Sequence, residues 1–175
     1  EAWLAVAQVN PAATSTGSSV DQQSGLGVGA RYSMKFDKLD NKFVVMYGNG
    51  VMENLKMDIS DSYITNTKDV VKKYARTRVA DVLSGSITNS LDLEAALVYE
   101  TTSNVAADSK STSWTSFGLR PTYFFSDNVS WVFEAGMSSY KDDNASKTYS
   151  LTRLTTGPQI SFKRGQYARP VVRAY

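Results

Sequence analysis

The chain has 175 residues, with 19 Lys and Arg against 17 Asp and Glu and neither cysteine nor histidine. A net charge of +2 gives no electrostatic footprint for nucleic acid, and the missing histidine removes the usual general base and the commonest metal ligand, which counts against an enzyme. Mean hydropathy is -0.30 and no stretch approaches the roughly 20 apolar residues of a spanning helix, so only strands are left to cross a membrane.

Glu1-Ala2-Trp3 already opens an apolar stretch, which reads as a mature or trimmed start, and the lack of thiols suits an oxidising compartment. A first strand is predicted over 2–9. After a long Ser-, Thr- and Gln-rich connection at 10–24, the strand at 25–36 sets Leu26, Val28, Ala30, Tyr32, Met34 and Phe36 against Gly27, Gly29, Arg31, Ser33 and Lys35. A short connection at 37–41 leads to a strand at 42–51, and a long one at 52–71 to a strand at 72–84. Past the short connection 85–89, the strand at 90–101 sets Leu91, Leu93, Ala95, Leu97 and Tyr99 against Asp92, Glu94, Ala96, Val98 and Glu100. A long connection at 102–111 precedes a strand at 112–125, a short one at 126–128 a strand at 129–140, and a longer one at 141–146 a strand at 147–162. Residues 163–166 are short again, and the ninth strand covers 167–175.

Strands with one oily and one charged face separate two solvents. In a soluble β-sandwich the oily face meets a second sheet; in an outer-membrane barrel it meets lipid and the charged face meets water. The long and short connections alternate strictly, so long loops gather at one end and tight turns at the other, and this asymmetry favours the barrel. Tyr47, Tyr99, Tyr123, Phe125, Trp131, Phe133 and Tyr149 fall on the expected oily face, placed for interfacial girdles or for ordinary strand packing. Arg153 resists this scheme: it shares a face with Tyr149 and Leu151, where a lipid-facing Arg costs about 2–4 kcal/mol at mid-membrane. A bulge near Gly157-Pro158, a position near the rim or a neighbouring subunit is expected to resolve it. Pro121 and Pro170 lie inside strands and imply bulges or unpaired positions.

The stretch from Trp114 to Tyr175 resembles the maltoporin family of sugar-specific outer-membrane porins. The residues that carry the likeness are Trp114-Thr-Ser-Phe-Gly-Leu-Arg-Pro121-Thr-Tyr123, Val132-Phe-Glu134-Ala-Gly136, Lys147-Thr-Tyr149-Ser-Leu151-Thr and Tyr167-Ala-Arg169-Pro170-Val-Val-Arg173. Upstream, Asn41-Lys42-Phe43-Val44-Val45, Arg78-Val-Ala-Asp81 and Leu91-Asp92-Leu93 through Tyr99 also look like family strands. The resemblance implies an all-β fold, an antiparallel transmembrane β-barrel of which these nine strands would be about half of 18. It also implies a homotrimer in the outer membrane of a Gram-negative bacterium, in contact with the bilayer and lipopolysaccharide, with no cofactor and no metal. Nine antiparallel strands cannot close without one parallel pair, so residues 1–175 are expected to be a partial barrel, incomplete at both ends, with Tyr175 in mid-strand.

The function that the resemblance implies is passive, sugar-selective diffusion of a maltooligosaccharide or a related glycoside such as sucrose. A sugar presents an apolar ring face and a rim of hydroxyls, so a channel that recognises it needs aromatic platforms and weak, repeated polar partners. Tyr167 occupies a position where the family carries one of its slide aromatics; another falls at Asp40, which interrupts the slide and leaves the sugar open. Candidate substrate-binding residues are Tyr167, Arg169, Arg173, Arg120, Glu134 and Trp114, the last near the outer mouth. Strand parity adds Arg31, Lys35, Asp92, Glu94 and Glu100 to the lumen face, and both signs occur, so strong ion selectivity is not indicated. Each of these charges also fits a solvated or cross-lumen paired side chain, and Arg120 and Arg169 fit structural roles beside their prolines. A general diffusion porin and a soluble sandwich module remain the alternatives; the sandwich requires Val28, Leu93, Phe117 and Trp131 to be buried. Gly25, Gly27 and Gly29 precede no helix and read as small inward residues rather than a phosphate loop. Asp142-Asp143-Asn144 lacks defined calcium-ligand spacing.

Overall fold

Strict alternation along a strand sends successive side chains to opposite faces, so a chain built of such runs pairs them edge to edge into a two-faced sheet. The computed structural model describes residues 1–9, 23–55, 75–103, 111–143, 145–164 and 171–174. They form one antiparallel sheet whose strands lie in chain order: β1 (Ala2–Val9), β2 (Gln23–Phe36), β3 (Leu39–Asn49), β4 (Ala75–Thr88), β5 (Leu91–Ser103), β6 (Thr112–Phe124), β7 (Val129–Asp142), β8 (Lys147–Ser161) and β9 (Val171–Arg173). The sheet is not closed: β1 and β9 are its edges. Every neighbour is also the neighbour in sequence, the meander that up-and-down barrels share.

Nine strands were expected and nine are found among the described residues; β1 has the expected bounds and the others differ at one end or both. β4 is described from Ala75, its expected first residues 72–74 lying outside the described residues, and it runs on to Thr88, where its pairing with β5 shifts between Ser86 and Thr88. β3 starts early, at Leu39, because the connection before it tightens to Asp37-Lys38, with Asp37 at φ 51°. The β6–β7 ladder skips Arg120 and Pro121 and resumes in the same register at Thr122, as expected for a proline that lacks a donor. Pro170, like Tyr167, Arg169 and Tyr175, lies outside the described residues.

One face is apolar and open to its surroundings. Val28 is 41%, Phe117 45% and Trp131 46% exposed and Leu93 is partly exposed, so among the described residues no second sheet covers them as the sandwich requires. On β5 the apolar stretch from Leu91 to Tyr99 covers about 27 Å along the strand at about 3.4 Å per residue. At a tilt of about 40° that is about 21 Å of membrane normal, close to the roughly 25 Å band of outer-membrane barrels. One carboxylate interrupts the band: Asp81 lies between Phe43 and Leu97 in the cross-strand row, and Asn41 Nδ2 donates to its Oδ1 at 2.6 Å.

The opposite face is polar and carries the small core. After β3 a 3-10 turn (Gly50–Met52) folds back onto this face, and Val51 and Met52 pack over Ala5 and Ala7. Gly50 turns the chain with φ +56°, where a side chain is strained. Gly25 leaves the turn its room, since a Cβ there would stand 2.7 Å from the Val51 and Met52 nitrogens. The glycines of β2 are therefore inward spacers, as expected.

Tyr149 and Arg153 do not face the apolar side. The β7–β8 register is uniform from Val129–Ile160 to Asp142–Lys147, with no bulge near Gly157-Pro158. Arg153 pairs with Gly136 and Tyr149 with Tyr140, both on the face of Glu134, whereas Leu154, Pro158 and Ile160 pair with Ala135, Trp131 and Val129 on the apolar face. The 2–4 kcal/mol cost of a lipid-facing Arg therefore never arises. Apolar character changes faces along β8: Tyr149 and Leu151 hold it on the polar face near the long-loop end, Leu154 and Ile160 on the apolar face beyond. Taking the phase of β8 from its first residues inverts the remainder.

Candidate functional site

Polar-face residues of β6 such as Trp114, Ser116, Gly118 and Thr122 meet a β5 and a β7 partner directly, so side chains from several strands assemble in transverse rows. The row at Arg120 is charged. Arg120 Nε lies 3.1 Å from Glu134 Oε1 and its Nη1 lies 3.8 Å from Glu94 Oε2, so one guanidinium bridges carboxylates of both neighbouring strands. Thr155 continues the row on β8 as the partner of Glu134. The skipped pairing at Arg120-Pro121 sits at this point, so the proline that loosens the ladder and the arginine that ties its side chains are adjacent.

One row toward the long-loop end the wall is bare. Ala96, Gly118 and Gly136 pair across β5, β6 and β7, and Arg153 closes the row on β8. A Cβ at Gly118 would meet no atom within 4 Å. Small floor and charged margin together form an open depression of about 250 Å³ lined by Glu94, Arg120, Glu134, Arg153 and Thr155 around Gly118 and Gly136. Hydroxyl-rich ligands fit such a place: the floor admits a ring, and the margin offers guanidinium donors beside carboxylate acceptors.

A second charged cluster spans β4 and β5. Arg78 Nε donates to Glu100 Oε2 at 2.7 Å, and Arg76 reaches Glu100 at 3.4 Å and Glu53 at 3.1 Å. The last contact ties the segment after the 3-10 turn to the sheet wall. Arg76, Glu53 and Arg153 are site-face charges that parity did not supply: the β8 phase misplaced Arg153, and the other two flank the long connection.

Of the six expected substrate-binding residues, Arg120 and Glu134 are brought together. Trp114 is on the same polar face, paired with Glu100 and Tyr140, but six residues away, about 20 Å along β6. Arg173 shares that face at the other end of the sheet, its Nε donating to Gln159 Oε1 at 2.7 Å. Tyr167 and Arg169 lie outside the described residues. The other parity assignments, Arg31, Lys35, Asp92, Glu94 and Glu100, all fall on the polar face in the observed register.

A two-faced meander with an exposed apolar band on one side and a paired charged belt on the other is the wall of an outer-membrane barrel rather than half of a sandwich. The family model described as LamB porin matches residues 1–175, the whole chain. The chain therefore belongs to the LamB porin family, a family of outer-membrane β-barrel channels of Gram-negative bacteria and not a family of enzymes.

Proposed function

We propose that these strands are part of the wall of a passive, sugar-selective diffusion channel, taking a maltooligosaccharide or a related glycoside such as sucrose. The observation that carries this reading is the belt in which Arg120 bridges Glu94 and Glu134 beside the bare floor at Gly118 and Gly136. With Arg153 at its margin the belt sets two arginines against two glutamates, so it attracts neither ion strongly yet keeps donors and acceptors for hydroxyls. Sugar binds weakly and repeatedly, moving from site to site without an energy source.

Arg120 and Glu134 serve as hydroxyl partners, with Arg173 at the far end of the same face. Tyr167 supplies a stacking platform and Arg169 a polar partner beside it. Small ions pass by the same route. The nine strands belong to a larger barrel of about 18, which further strands beyond β1 and β9 would close, set in a bilayer with lipopolysaccharide. The assembly is a homotrimer. Asp81 supports this, because a carboxylate in the apolar band is better placed under a neighbouring subunit than in lipid.

The test is planar-bilayer conductance of the barrel-forming protein while maltose, sucrose and maltotriose are titrated. Saturable block of the ion current is the expected result. A pore that all three leave open would instead be a general diffusion porin.

A further inference from the structure

We infer that Trp114, Tyr140 and Tyr149 form a second sugar-docking platform on the lumen wall at the long-loop end, about 20 Å along the strands from the charged belt. This rests on the channel reading above. Trp114 pairs with Tyr140, and Tyr140 with Tyr149, so three successive strands place aromatics in one transverse row. The tyrosine rings are 6.3 Å apart at 36°, with Tyr140 39% and Tyr149 55% exposed.

The row is on the wrong face for a membrane girdle. At the same level the apolar face has already turned polar: Ser113, Thr115, Ser139, Lys141, Thr148 and Ser150 occupy its alternate positions on β6, β7 and β8. Aromatic character has thus changed sides on three neighbouring strands at one height, which places rings where water flows rather than where lipid sits.

The chemistry beside the rings matches a neutral pyranose. Glu100 is the direct partner of Trp114 on β5 and is held by Arg78, so an acceptor and a donor border the aromatic surface. On the side toward the belt, the next row brings the Ser116 and Ser138 hydroxyls within 2.9 Å of each other. Rings for the apolar sugar face, with charged and hydroxyl groups at the edge, suit an oligosaccharide of pyranose units. Two strand spacings separate Trp114 from Tyr149, about 10 Å, so a chain of more than one sugar unit gains most. A sugar coming from the loop side meets the rings first, then the bare floor, then the belt.

The decisive variant is Tyr140→Ala/Tyr149→Ala in the barrel-forming protein, reconstituted in a planar bilayer, with maltose and maltotriose added on the loop side. The expected result is an association rate of block about fivefold lower, with the larger loss for maltotriose. Open ion-conducting channels in the bilayer report an assembled barrel. Tyr140→Phe/Tyr149→Phe keeps the rings and is expected to keep most of the association rate. An unchanged rate in the double alanine variant overturns the platform while leaving the belt standing. A parent channel that neither sugar blocks overturns the channel reading and the platform with it. Tyr149→Ala alone, at the most exposed ring, gives the same readout with the smallest perturbation.

Discussion

At the scale of single residues, the wall is shaped as much by missing side chains as by present ones. A Cβ at Gly118 meets nothing within 4 Å, so Gly118→Leu is expected to fold and insert normally while filling the floor between Ala96 and Gly136. Sugar affinity should drop about threefold or more, and block titration at unchanged protein yield checks it. Arg120→Ala acts through charge. It leaves Glu94 and Glu134 without the guanidinium that bridges them, so the pore wall gains net negative charge and the reversal potential in a KCl gradient should shift toward cation preference. The three side chains are only partly exposed, so losing the guanidinium is expected to cost about 1–2 kcal/mol of stability. These effects differ in kind, one steric and one electrostatic, so conductance and affinity measured together separate them.

At the scale of elements, β8 explains what alternation can and cannot tell. β2 and β5 keep one phase from end to end, and both of their faces were legible from the sequence. β8 changes the side that carries its apolar residues between Leu151 and Leu154, without any change in backbone register. Period-two reasoning assumes that one face stays oily throughout, so it puts Tyr149 and Arg153 on the lipid face and requires a bulge, a rim position or a neighbouring subunit for Arg153, none of which the observed register needs. Only cross-strand pairing with Glu134 and Tyr140 settles the phase. Arg120 and Glu134 were legible because alternation holds around them, with Phe117 and Leu119 on β6 and Trp131 and Phe133 on β7 on the opposite face, and their proximity follows from adjacent strands in a meander. The contact between Arg76 and Glu53 was not legible, because it joins residues across a long connection, which parity does not span. Asp81 gives a test at this scale. Asp81→Leu removes the carboxylate that Asn41 holds in the apolar band, and under the proposed trimer it is expected to lower the temperature at which subunits separate in detergent by several degrees. Separation at the parent temperature would place that row against lipid.

At the scale of the whole molecule, one division governs the channel: the face of Arg120, Glu134 and Arg153 meets water, and the face of Leu97, Phe117 and Trp131 meets lipid. The absence of cysteine in residues 1–175 lets single thiols report on each face with no background from these strands. β8 is the strand to use, since its phase decides both the charged margin and the aromatic row. The measurement is labelling of Tyr149→Cys, Arg153→Cys, Leu154→Cys and Ile160→Cys, each in the inserted barrel-forming protein, by a membrane-impermeant, water-soluble maleimide. Rapid labelling at 149 and 153 with protection at 154 and 160 is the expected outcome. Protection at 149 and 153 with rapid labelling at 154 and 160 would invert the wall and contradict both the belt and the platform.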